Sequence, residues 1–168
     1  KKGKSYNINS IYKNDNDLFL GTEASGLYFG KDYNNLEKIE GVDNSKIRAI
    51  YEHNKKLYIG TSEGFYILNS ATKKVIFSNK NIKKITAFHI DTNNNLYLGT
   101  QQNGLCIVNL NNLEKPSAYI FYSDNLSGNH KLQSDRISSI KGDTQGNIWL
   151  GTYKGLHVLN KENKKFRH

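Results

Sequence analysis

Ile148-Trp149-Leu150-Gly151-Thr152, followed by Gly155-Leu156-His157-Val158, decides the fold, because the chain writes this pattern four times. The other copies of the first part are Leu18-Phe19-Leu20-Gly21-Thr22, Leu57-Tyr58-Ile59-Gly60-Thr61 and Leu96-Tyr97-Leu98-Gly99-Thr100. A second glycine and a new apolar run follow each one: Gly26-Leu27-Tyr28-Phe29, Gly64-Phe65-Tyr66-Ile67 and Gly104-Leu105-Cys106-Ile107. A short alternating segment precedes each one: Ile8 to Ile11, Ile47 to Ile50, Ile85 to Phe88 and Ile137 to Ile140, each with a small residue third (Ser10, Ala49, Ala87, Ser139). The Gly-Thr pairs are spaced by 39, 39 and 52 residues, so the last interval holds one period and an insertion of 13.

Alternation with a period of two, rich in β-branched and aromatic residues, predicts strands and excludes a helical solenoid. Each unit predicts four: strand A (Ile-x-small-apolar), strand B (the triplet into Gly-Thr), strand C after the second glycine, and a weaker strand D. Strand D is expected at Leu36 to Ile39, Lys74 to Phe77, Ala118 to Tyr122 and Lys165 to Phe166. Asn- and Asp-rich turns join A to B, as tight hairpins require. Four-stranded antiparallel units at a period near 40 residues predict β-propeller blades. The expected bounds are about 6–40, 45–78, 83–122 and 136–168, with the insertion at 123–135.

Composition narrows the function classes. The 168 residues include 24 Lys+Arg against 15 Asp+Glu, a net charge of +9. Only Arg48, Arg136 and Arg167 are arginines, and the lysines scatter over turns in all four units, which is the pattern of a solvated surface and not of a nucleic-acid footprint. One cysteine excludes an intrachain disulfide. No stretch approaches the roughly 20 apolar residues of a membrane span. A start at Lys1-Lys2 with no Met anywhere is expected of a processed or partial chain. The five histidines show no close two-ligand spacing, so no metal site and no cofactor are expected.

Residues 137–160, written Ile-x-x-Ile … Asn-x-Trp-Leu-Gly-Thr-x-x-Gly-Leu-x-x-Leu-Asn, resemble the two-component regulator propeller repeat, and Tyr122 to Ile137 resembles the segment between such repeats. The resemblance runs through the whole chain, with Phe19, Tyr58 and Tyr97 where tryptophan is usual. It implies a periplasmic sensor region of a hybrid histidine kinase, reached by the membrane only through a transmembrane helix outside this segment, with oligosaccharides as ligands. Rings in that family are usually seven-bladed. Four blades are therefore expected either to belong to a larger ring or to self-associate.

In such a blade the B–C and D–A loops share one face, where a ligand is expected. That nominates Glu23, Glu63, Gln101, Gln102, Asn103, Tyr153 and Lys154 from B–C loops, with Arg48 and Arg136 beside them. Amides, carboxylates, guanidinium groups and an aromatic ring suit a sugar. The insertion 123–135 reads either as a ligand-lining loop or as a spacer. A protein-binding scaffold is the alternative function. A propeller glycosidase or lyase is the third, and only Glu23 and Glu63 occupy equivalent positions for it; no catalytic residue is expected.

Overall fold

The computed structural model describes residues 6–128 and 131–168; Asn129 and His130 of the insertion lie outside the described residues. The chain forms two compact units, 1–85 and 86–168. Four antiparallel sheets of four strands are present, each in simple sequential order. The first contains β1 (Ile8–Lys13), β2 (Leu18–Thr22), β3 (Leu27–Gly30) and β4 (Glu37–Lys38). The second contains β5 (Ile47–His53), β6 (Lys56–Thr61), β7 (Phe65–Asn69) and β8 (Val75–Asn79). The third contains β9 (Ile85–Ile90), β10 (Asn95–Thr100), β11 (Leu105–Asn109) and β12 (Ile120–Tyr122). The fourth contains β13 (Ile137–Gly142), β14 (Ile148–Thr152), β15 (Gly155–Leu159) and β16 (Phe166–Arg167). These are the A, B, C and D strands that the repeat predicts, and each sheet has the topology of a propeller blade.

Turn chemistry explains the short connections. Asn54 and Lys55 both take positive φ (47° and 58°), which closes β5 onto β6 with a two-residue hairpin. Longer turns are held by Asx bonds: Asp91 Oδ1 accepts the N–H groups of Asn93 and Asn95, and Asp143 Oδ1 those of Gln145 and Asn147. The D strands of the first and last blades are the shortest, at two residues each.

A cluster of buried residues lies in each unit. Phe19, Leu27 and Ile39 of the first blade meet Ile47, Leu57, Ile59, Tyr66 and Leu68 of the second, with Val42 between them. Tyr97 and Leu105 of the third blade meet Ile137, Ile148, Leu150, Leu159 and Phe166 of the fourth, with Leu132 between them. Burying each such aliphatic side chain contributes about 1.5–3 kcal/mol.

The Gly-Thr glycine sets how closely blades approach. A Cβ added to Gly21 would lie 2.5 Å from Ile47 Cγ2; on Gly60 it would lie 2.8 Å from Ile85 Cγ2, and on Gly99 2.8 Å from Ile137 Cγ2. Each isoleucine is the first residue of strand A in the next blade, and all three are fully buried. A register shift follows this residue in β1, β5 and β13, between Ile8 and Ser10, Ile47 and Ala49, and Ile137 and Ser139. Such a bulge re-aims side chains. It lets the isoleucine turn into the neighbouring blade while the second residue (Asn9, Arg48, Ser138) reaches its own B strand or B–C loop.

Gly60→Ala and Gly99→Ala are therefore expected to destabilise the chain by about 1–3 kcal/mol each through overpacking. Gly151→Ala meets chiefly the rotatable hydroxyl of Ser139, at 2.4 Å, and is expected to cost less. Urea unfolding of the three variants checks this order.

Candidate functional site

The B–C loops are built by the threonine of each Gly-Thr pair. The hydroxyls of Thr22, Thr100 and Thr152 donate to the carbonyls of Gly26, Gly104 and Gly155 at 2.8, 2.9 and 2.9 Å. The same oxygens accept the N–H groups of Ser25, Asn103 and Lys154, and Thr61 accepts that of Glu63. The residue after the threonine then donates its N–H to the carbonyl that precedes strand A: Glu23 to Asn7, Ser62 to Lys46 and Tyr153 to Arg136, at 2.8, 3.0 and 3.0 Å. Each loop is closed by groups that leave the variable side chains out of the bonding. The scaffold therefore tolerates Glu, Ser, Gln or Tyr at the same place.

In the first unit each nominated residue meets a polar partner outside the nominated set. Glu23 accepts from Asn9 Nδ2 at 2.7 Å and pairs with Lys46 Nζ at 2.8 Å. Those bonds, from Lys46 first and Asn9 second, hold its carboxyl below the usual range, and Arg48 lowers it further. Arg48 Nε donates to Ser62 Oγ at 3.3 Å. Glu63 pairs with Lys83 at 2.8 Å. Held ionised in this way, Glu23 is fit to bind a donor and poorly fit to deliver a proton.

In the second unit the Arg136 guanidinium lies over the Tyr153 ring, 4.8 Å from its centroid. Tyr153 remains 77% exposed. Gly104 N–H donates to the Asp135 carbonyl, which brings the Gln101-Gln102-Asn103 loop beside Asp135 and Arg136. Gln101 is half-buried, while Gln102, Asn103 and Lys154 are exposed. The result is an exposed aromatic platform bordered by a guanidinium, a lysine and amides.

Two polar constructions lie elsewhere and have no local signal in the sequence. Lys73 reaches Asp17 at 2.5 Å and stands over the rings of Phe19 and Phe29 at 5.1 and 5.3 Å. Beside it, Glu52 accepts from Ser70, Asn14 and Tyr12 at 2.6, 2.9 and 3.0 Å. Both groups tie the A–B and C–D turns of the first two blades together, at the end of the strands away from the nominated loops. In the turns Asp15-Asn16-Asp17 and Asp91 to Asn95, which look faintly like calcium loops, Asp17 is taken by Lys73 and both carboxylate oxygens of Asp91 accept hydrogen bonds. Asp91 Oδ2 accepts from Tyr97 and Asn95, just as Asp143 Oδ2 accepts from Trp149 Nε1 at 2.9 Å. That indole bond, with Asn147, lowers the Asp143 carboxyl to about 2. Among the described residues no three His, Cys, Asp or Glu side chains gather as a metal would require. Cys106 is fully buried and burial pushes its thiol up to about 12, which marks it as a core residue.

The insertion is anchored at its second half. Leu132 is fully buried in the core between the third and fourth blades, and Ser134 is 6% exposed. Asp135 Oδ1 accepts the N–H of Asp124 at 2.7 Å, which cinches the insertion's two ends. Gln133 N–H donates to His157 Nε2 at 3.1 Å, so that nitrogen carries no proton. Nδ1 then holds the proton and faces Thr152 Oγ1 at 3.4 Å. Burial, and next the His168 ring, hold the His157 imidazole below its ordinary range.

Residues 131–154 match the family model described as "Two component regulator propeller". That is the repeat read in the sequence. No curated protein matches the chain. Among solved structures, the chain is similar to the extracellular domain assigned to the hybrid two component system BT4673 of B. thetaiotaomicron, at 21% identity and a TM-score of 0.76 over 96% of this chain and 21% of that one. The extracellular domain assigned to the hybrid two component system BT3049 of the same organism gives 23% identity and a TM-score of 0.71, over 90% and 20% of the two chains. PorZ, a bacterial surface component of the type-IX secretion system of Porphyromonas gingivalis, gives 18% and 0.70, over 95% and 22%. The chain thus spans about a fifth of the length of these proteins. At these identities the likeness establishes the fold, which is the four-bladed β-propeller array expected from the repeat.

His157 yields a pH prediction. The folded chain binds a proton at His157 less readily than the unfolded chain, whose histidine titrates near 6.5. Its contribution to stability is complete above that value and declines as pH falls below it. The melting temperature is expected to fall between about pH 7 and pH 5, and His157→Gln is expected to flatten that decline. An unchanged slope in the variant contradicts the reading.

Proposed function

We propose that this chain is an extracytoplasmic ligand-sensing segment of a two-component sensor. Oligosaccharides are the ligand class and the chain acts by binding without catalysis. The observation that carries this reading is the exposed Tyr153 ring stacked with Arg136 beside the Gln101 to Asn103 loop. A sugar ring offers apolar C–H faces to an aromatic and vicinal hydroxyls to guanidinium, ammonium and amide groups. The first unit offers Glu23, Arg48 and Glu63 in the equivalent loops, where ion pairs orient the carboxylates as acceptors. The lowered Glu23 carboxyl, with Lys46 at 2.8 Å, supports binding over proton transfer there, and so speaks against the glycosidase or lyase reading.

The structural neighbours that are extracellular domains of hybrid two component systems support the sensor role and a location outside the cytoplasm. The periplasm is the compartment that fits a kinase placed behind a membrane. Among the described residues no helix is long and apolar enough to cross one. Membrane attachment and the histidine kinase belong to parts of the sensor outside this segment. Blades are stiff, so ligand binding acts by changing a rigid-body arrangement.

Calorimetric titration of the chain with polysaccharide digests is expected to detect binding that Tyr153→Ala and Arg136→Ala each weaken by about tenfold or more. Binding that both variants retain unchanged refutes the site. A chain that binds no digest in the panel refutes the ligand class.

A further inference from the structure

A polar bond between strand C and the segment that leads into the same blade occurs at one place in two blades. In the second blade, Tyr66 lies two residues after Gly64 and donates its hydroxyl to Asp43 Oδ2 at 2.7 Å; Asp43 stands four residues before Ile47. In the fourth blade, His157 lies two residues after Gly155 and accepts the N–H of Gln133 at 3.1 Å; Gln133 stands four residues before Ile137. The sheet register makes the two equivalent, since Tyr66 lies opposite Ile59 and His157 opposite Leu150. Each bond fastens the incoming segment to its blade, but the chemistry differs. Burial and the Asp43 carboxylate push the Tyr66 hydroxyl up to about 12. Against the opposing effect of burial, bonds from Ser45 and Tyr66 hold the Asp43 carboxyl below its usual range. Neither group changes charge between about pH 5 and pH 8, where an imidazole does.

The bonds around His157 fit only its neutral form. The Thr152 hydroxyl spends its one proton on the Gly155 carbonyl at 2.9 Å, so toward Nδ1 it only accepts, and Nδ1 holds the ring's proton. Nε2 keeps a lone pair, which takes the Gln133 N–H. Protonation places a second N–H at Nε2, aimed at the Gln133 N–H. Two donors then face each other at a side chain with 0% exposure. The charged groups on the packed elements do not offset this. The His168 ring, after β16, meets that of His157 with centroids 4.3 Å apart and disfavours its charge. Lys131 on the insertion, Lys154 in the B–C loop and Arg167 on β16 are exposed cations. Asp124 and Asp135 are tied to each other at the ends of the insertion. Among the described residues no carboxylate forms an ion pair with the ring.

We propose that His157 is a pH-sensitive latch on the insertion: neutral, it holds the Gln133 end of that segment against the fourth blade, and protonated, it lets that end open while the blades stay folded. Local opening of this kind involves only a few bonds of the native state. It extends along the segment. Asp135, two residues on, carries the bonds to Asp124 and to the Gly104 N–H, so the Gln101 to Asn103 loop is loosened with it. The latch stands on the contact between Gln133 and His157 and on no reading of the ligand.

Amide hydrogen exchange read residue by residue by NMR tests the latch, with protection taken relative to the unfolded-chain rate at each pH. Protection of the Gln133 amide is expected to fall by about tenfold or more between pH 7 and pH 5, because each pH unit below the titration of an imidazole changes its protonation equilibrium about tenfold. The Ser62 amide bonds to the Lys46 carbonyl at the matching junction of the second blade and is expected to keep its protection. His157→Gln retains an acceptor that does not titrate, and is expected to keep Gln133 protected at both pH values. The wild-type measurement decides the matter whether or not the variant folds. Equal protection of Gln133 at pH 7 and pH 5, a parallel loss at Ser62, or a fall of undiminished size in His157→Gln overturns the proposal.

Discussion

The structure depends on one contact repeated between blades: an isoleucine at the start of strand A seated on a glycine in strand B of the blade before it. A blade is a thin sheet with apolar residues on both faces. It cannot bury either face alone, so blades are stable only when stacked closely. A glycine at the contact lets backbone approach side chain more closely than any Cβ allows, and the isoleucine occupies the space released. Gly21 with Ile47, Gly60 with Ile85, and Gly99 with Ile137 are the three instances. The bulge after Ile47 and Ile137 aligns these side chains, and also sends Arg48 toward the B–C loop. Packing and site geometry share one backbone irregularity.

The functional loops inherit their freedom from the same motif. The threonine beside the glycine closes the B–C loop through its hydroxyl, and a backbone bond ties the next residue to the start of strand A. Neither bond consults the variable side chains. A propeller can therefore change its surface chemistry blade by blade at almost no cost to packing. Here it carries a carboxylate in two blades, amides in a third and an aromatic with a cation in the fourth.

The insertion shows where a linear reading stops. Its polar centre reads as a loop, and Leu132 looks like one apolar residue within it. Leu132 is in fact a core residue, lying five positions before Ile137 as Val42 lies five before Ile47. That spacing is a signal in the sequence, but it gains meaning only once Ile47 and Ile137 are known to be junction residues. Asp17 with Lys73 carries no such signal: 56 residues separate them, and their meeting depends on how one blade's turn overhangs the next.

The sequence by itself determined the repeat, the four strands of each unit, the turns between them and the loops on which variable polar residues are displayed. Strand periodicity and turn chemistry act over a few residues, so a linear reading finds them. The tertiary structure alone decided which polar groups pair, that Arg136 stacks on Tyr153, and that His157 accepts from Gln133. Those outcomes depend on bringing together residues from separate strands, loops and blades, and no local preference specifies that.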